Sequence, residues 1–127
     1  RTSETHFASA GTRLHVMSSP DLGATWAAET TVFMGTDLRE PVFLSFQGRL
    51  FFHWFEAGTD PFSFEPKRQW RIERRADGTW TEREPFGVDG EISWDLVARN
   101  GAAWRTSYSD DTAIVLQRLA QAISGQR

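Results

Sequence analysis

Two short stretches gather residue types that do chemistry. Asp37-Leu38-Arg39-Glu40-Pro41 and Glu91-Ile92-Ser93-Trp94-Asp95 each set acids beside one large functional side chain. The Arg39 guanidinium is a planar fork that matches a carboxylate through two parallel hydrogen bonds. The same group can instead pair at home with Asp37 or Glu40. Glu40, Glu91 and Asp95 are candidate carboxyl groups for glycoside cleavage, which uses one acid and a second carboxylate or a substitute for it. Trp94 offers a flat apolar ring that suits the C–H face of a sugar, and the same ring suits a core. Tyr108 is the only tyrosine. A longer run from Glu56 to Arg68 holds acids, bases and the rings of Phe62 and Phe64. Its Lys67 and Arg68 either hold an anionic group or only solvate the loop. His6, His15 and His53 lack the spacing of metal ligands and read as strand residues. Neither a metal nor a cofactor is expected.

Composition narrows the partners. The chain has 127 residues, a net charge of −3 and no cysteine. Without a basic excess, a surface that tracks nucleic-acid phosphates is not expected. No apolar stretch reaches the roughly 18 residues of a membrane-spanning helix. The absence of cysteine excludes disulfides and thiolate metal sites. Because the chain begins with Arg, the lack of a signal sequence says nothing of compartment. Six Trp and ten Phe provide large apolar area for one domain.

The elements that must position these residues read as short strands. Alternating or apolar runs cut by turn residues predict strands at 6–10, 13–18, 25–32, 41–46, 49–56, 68–75, 79–84, 92–99, 102–108 and 112–119. Gln47-Gly48, Asp77-Gly78 and Asn100-Gly101 predict tight antiparallel hairpins. An internal repeat is visible. Phe7 to Leu14, Phe43 to Leu50 and Leu96 to Ala103 each bracket a Gly turn at the same spacing. Phe43 follows Trp26 by seventeen residues, and Leu96 follows Trp80 by sixteen. Units that end in Thr-Trp and restart with an apolar hairpin look like successive four-stranded meanders. The segment after Asp111 fits either a helical stripe or a last strand, and the strand is preferred, with a tail from 120 to 127.

Ser19-Pro20-Asp21-Leu22-Gly23-Ala24-Thr25-Trp26 fits Ser-x-Asp-x-Gly-x-Thr-Trp without a mismatch. It resembles the Asp-box, or bacterial neuraminidase repeat, of sialidase-like β-propellers. Arg75-Ala76-Asp77-Gly78-Thr79-Trp80 looks like a shortened second copy that lacks the leading Ser. The resemblance implies an all-β, partial β-propeller of about two and a half four-stranded antiparallel blades. Residues 6–32 would end one blade, 41–84 would form a complete blade, and 92–119 would start a third. The Trp of each box would pack between neighbouring sheets. An unrelated β-sandwich with Asp-Gly hairpins is the alternative.

In that register the Gly turns and Asp-boxes share one end of the sheets, and the interblade segments share the other. The Asp-box is then a structural device, and ligand chemistry falls to the interblade end. The resemblance implies a glycoside hydrolase with Glu40, Asp95 and Glu91 as candidate catalytic carboxyls. Arg39, Asp37, Trp94, Arg68 and Tyr108 are the candidate carbohydrate contacts. Sialidases use a tyrosine nucleophile, which brings Tyr108 into consideration. The family's Arg-Ile-Pro motif is absent here. Asp-Leu-Arg-Glu-Pro also looks like the innermost-strand motifs of five-bladed glycoside hydrolases. A non-catalytic propeller that binds glycans or proteins is the competing reading. The expected partners are a carbohydrate and either the remaining blades of a parent chain or further copies of this one. Open sheet faces and edges make the chain alone an expected marginal, sticky fold.

Overall fold

The computed structural model describes residues 1–109 and 115–118. Among them the chain is all-β, without a helix. Three antiparallel meanders follow one another along the sequence. The first pairs β1 (Arg13–Ser18) with β2 (Ala27–Phe33). The middle sheet runs β3 (Asp37–Phe46), β4 (Arg49–Gly58), β5 (Gln69–Glu73) and β6 (Glu84–Phe86) in sequence order. The third joins β7 (Ile92–Arg99), β8 (Ala102–Tyr108) and β9 (Val115–Arg118). Gln47 and Asn100 take positive φ (51° and 53°) ahead of Gly48 and Gly101, the conformation that two-residue hairpins require.

Stacking follows from the double-sided pattern of β4. Phe52 and Trp54 face one way, where Leu38 and Ile72 join them against Leu14, Val16 and Val32 of the first sheet. Phe51 faces the other way, where Leu44, Phe46 and Phe86 meet Leu96 and Ala103 of the third sheet. Both faces of the middle sheet are therefore covered at their centre, and burying each phenyl contributes roughly 1.5–3 kcal/mol. β3 lies beside β7, and β1 approaches β3. The turns 45–47 and 98–102 line one shared hollow. At the opposite end Phe55 and Ala57 pack with Ile92 and Tyr108. β3 and β7 therefore run in the same direction, with their first residues at one end of the molecule, here called the entrance end.

Several expected strands differ. The stretch 6–10 forms bends, and Thr2 instead bridges Arg13 beside β1. In the stretch 79–84 Trp80 bridges Arg74, the Thr81 N–H reaches the Glu73 carbonyl, and only Glu84 belongs to a strand, as the first residue of β6. β3 begins at Asp37, ahead of Pro41, because bulges at Asp37/Leu38 and between Arg39 and Val42 carry the pairing past the proline. Of the expected 112–119 strand, 115–118 is present as β9, and 112–114 and 119 lie outside the described residues, as does the tail.

The two Asp loops differ from each other. Asp21 accepts hydrogen bonds from the Thr25 backbone N–H and hydroxyl, both 2.7 Å, and Ser19 Oγ accepts from the Gly23 N–H. The Thr25 hydroxyl, then its N–H, then Ser19 hold the Asp21 carboxyl below its ordinary range. Asp77 makes the same pair of bonds with Thr79, only two residues on. Trp80 packs against the seam between the first and middle sheets and donates to Glu29. Trp26 does not insert between sheets as expected. It is 62% exposed and folds onto its own loop, donating to the Gly23 carbonyl.

Candidate functional site

The bulge that opens β3 is built around a buried carboxylate. Asp37 pairs with Gly58 at the end of β4 and is sealed from solvent. Its Oδ1 accepts from Arg1 Nη2 (2.6 Å) and Thr12 Oγ1 (3.1 Å). Its Oδ2 accepts from the Ala8 N–H and from Arg39 Nε, each at 3.0 Å. Asp37 thus ties the chain's first residues, the Ser9–Thr12 turn and β3 into one knot. Arg39 also donates to the His6 carbonyl and lies over the Phe7 ring at 4.2 Å. The pairing at home that the sequence allowed is the arrangement seen.

Beside this knot is a hollow of about 200 Å³. Phe7, Ala8 and Asp37 form one side, Ala57 another, and the loop Asp60-Pro61-Phe62-Ser63-Phe64 closes it. The Asp60 carboxylate accepts the Phe62 N–H at 2.9 Å and is otherwise turned to solvent. Phe64 is fixed by an edge contact to Phe55 at 6.1 Å. Phe62 is 96% exposed, so its whole ring is available to a ligand.

The other expected residues are spread along the same end. Glu40 sits on the bulge at positive φ (48°), exposed. Glu91 accepts from Arg105 Nη2 (2.9 Å) and Ser107 Oγ (3.2 Å). Arg68 pairs with Asp89 at 3.2 Å in solvent, where such a pair adds little, and its guanidinium lies 5.7 Å from the Trp70 ring. Trp94 is 62% exposed at a bulge in β7, with the Tyr108 ring edge-on at 5.9 Å. Asp95 accepts the Leu96 N–H and stands opposite Thr106. Leu96 and Arg105 form the neighbouring pair and face the middle sheet, so Asp95 lies on the far side of the third sheet. The structure therefore brings together Asp37 with Arg39, and Trp94 with Tyr108. Glu40, Glu91 and Asp95 lie respectively on the exposed β3 bulge, beside Arg105 and on the outer face of the third sheet. Among the described residues no group of His, Asp or Glu is arranged to hold a metal.

One feature was legible only as a candidate loop, and one escaped the sequence reading. The first is Asp60 with its flanking phenyls, visible only as a mixed loop until Phe7 is folded against it. The second is a groove of about 400 Å³ between β2 and residues 78–83, lined by Trp54 and Trp80, with Glu29 joined to Arg74 and Trp80 beside it. None of the expected site residues lines that groove. No protein-family model, curated protein or solved structure matches the chain.

Proposed function

We propose that the chain is a segment of a sialidase-like β-propeller whose entrance end binds a glycan in the hollow between Phe7, Asp60 and Phe62. Support for the propeller comes from meanders in sequence order, stacked face to face, with adjacent first strands running the same way. The observation that carries the binding reading is the hollow. Its size suits one sugar ring. Its phenyl walls suit the C–H faces of that ring, and the Asp60 carboxylate suits its hydroxyl donors. Arg39 at the margin keeps Nη1 for an acidic substituent, since Nε and Nη2 are engaged.

Binding is favoured here over hydrolysis on the placement of the carboxyls. Glycoside cleavage asks two groups to flank one bond. Glu91 is engaged by Arg105 and Ser107, Asp95 lies on the outer face of the third sheet, and Glu40 is exposed on the β3 bulge. Titrating the chain with a panel of neutral and acidic oligosaccharides is the test, read by backbone amide shifts. Saturable shifts at 57–64 are expected, and Phe62→Ala should weaken the best ligand by about 3- to 10-fold through lost ring contact. No saturable shift with any sugar removes the proposal. Turnover of an aryl glycoside, lost in Glu40→Gln, would return the hydrolase reading to first place.

A further inference from the structure

The two seams of the stack are chemically unlike. Between the first and middle sheets the central contact is apolar, with charged pairs at Asp37 and Glu29 outside it. Between the middle and third sheets a charged layer is buried. His53, Arg71 and Glu84 are direct cross-strand neighbours on β4, β5 and β6, in a row that faces the third sheet. Arg105 comes from β8 on the facing sheet. His53, Arg71 and Arg105 are each only 2% exposed. Phe86 is shared by all three: the His53 ring meets it at 4.4 Å, and the two guanidiniums lie 5.6 and 5.7 Å from its centroid.

Partners for the charges lie at the edge of this layer. Arg71 Nε donates to Glu84, which is 44% exposed, and Arg105 donates to Glu91. Glu73, one row along β5, is held by Arg49. β3 and β7 contribute Val42, Leu44 and Leu96, which carry no charge. Both ring nitrogens of His53 and Nη1 of Arg71 have no hydrogen-bond partner among the described residues. The ends of Arg105 and Gln69 close over Gly87: a methyl group added there would meet Arg105 Nη1 at 2.3 Å and Gln69 Nε2 at 2.7 Å. Among the described residues no carboxylate makes a hydrogen bond to His53.

We propose that this seam is a proton-operated joint: a proton taken up by His53 sets a third cation beside Arg71 and Arg105 in a dry layer, and the third sheet lets go of the middle one. The opened form exposes His53 to water, where its charge is solvated. Glu91, Trp94 and Tyr108 move with the third sheet, so acid would rearrange part of the entrance end. The inference stands whether or not a glycan is the ligand.

Burial, then Arg71 and Arg105, push the His53 ring down to about 3 in the closed form, against an ordinary 6.5. The opened form therefore binds more protons between those two values, and closure weakens as pH falls below 6.5. From pH 7 to pH 5 the opening constant should rise about 25-fold on that linkage. Amide exchange on the whole 127-residue chain, corrected for intrinsic rates, reads this directly. Protection in β7 and β8 should fall by that factor while β1 and β2 keep theirs, and His53→Leu should abolish the difference. Equal loss in all three sheets, or the same loss in His53→Leu, overturns the proposal. Should that variant fold poorly, the His53 ring signals of the unaltered chain decide. Titration near 6.5 with β7 and β8 still protected contradicts the joint, and protonation that coincides with their opening supports it.

Discussion

Asp37 was expected as a ligand contact because it lies in the interblade segment 37–41. In the folded chain every lone pair it offers is used, by Arg1, Thr12, the Ala8 N–H and Arg39. Removing one partner of a buried charge pair leaves the other uncompensated. Asp37→Ala should therefore cost about 3 kcal/mol of stability in a urea melt. Sugar affinity of the fraction that remains folded should also fall, because Asp37 lines one side of the hollow and holds Ala8 and Arg39 in place. A variant of native stability with abolished binding would return Asp37 to the ligand. This residue was half legible. The Asp37–Arg39 pairing is local and sequence spacing suggests it. Arg1 and Thr12 arrive from 36 and 25 residues away, which no spacing announces. The hydrogen bonds of the Asp21 loop were legible for the same reason, since acceptor and donors lie within four residues, whereas the outward placement of Trp26 was not.

At the scale of elements, β4 organises the stack because successive phenylalanines face opposite sheets. Phe52→Ala should loosen the first sheet and Phe51→Ala the third, each at a cost of about 3–5 kcal/mol. Residue-resolved amide exchange separates the two, since each variant should lose protection mainly in the sheet it abandons. Uniform loss from both variants would mean that the sheets do not act as separate layers. The alternation in β5 explains why the charged seam was missed. Trp70 and Ile72 mark one inward face, and Gln69, Arg71 and Glu73 then read as the solvent face. The third sheet covers that face, so its polar residues are buried by tertiary packing and not by their own pattern. β8 inverts the rule further, with Arg105 buried and Trp104 partly open. Two strand ends were misplaced for local reasons: Pro41 hid the bulged start of β3, and the 6–10 stretch makes its hydrogen bonds to side chains of the Asp37 knot instead of to a ladder.

At the scale of the molecule, the repeat of apolar hairpins separated by Thr-Trp was enough to order the sheets, because each hairpin is local. The third sheet's outer face, with Trp94, Val97 and Leu116, stands open to solvent, in line with the open sheet faces expected from sequence. The assignment of a ligand end depends on β3 and β7 pointing the same way. The chain has no native cysteine, so pairs of spin labels can be placed cleanly. Labels at Ser45→Cys and Ala98→Cys line the same hollow at the hairpin end and should lie close together. Labels at Ser63→Cys and Ala98→Cys should be separated by about 30 Å, the length of a ten-residue strand such as β4. A long Ser45–Ala98 distance with a short Ser63–Ala98 distance would mean that the two first strands run in opposite directions, and the entrance end would not exist as one surface.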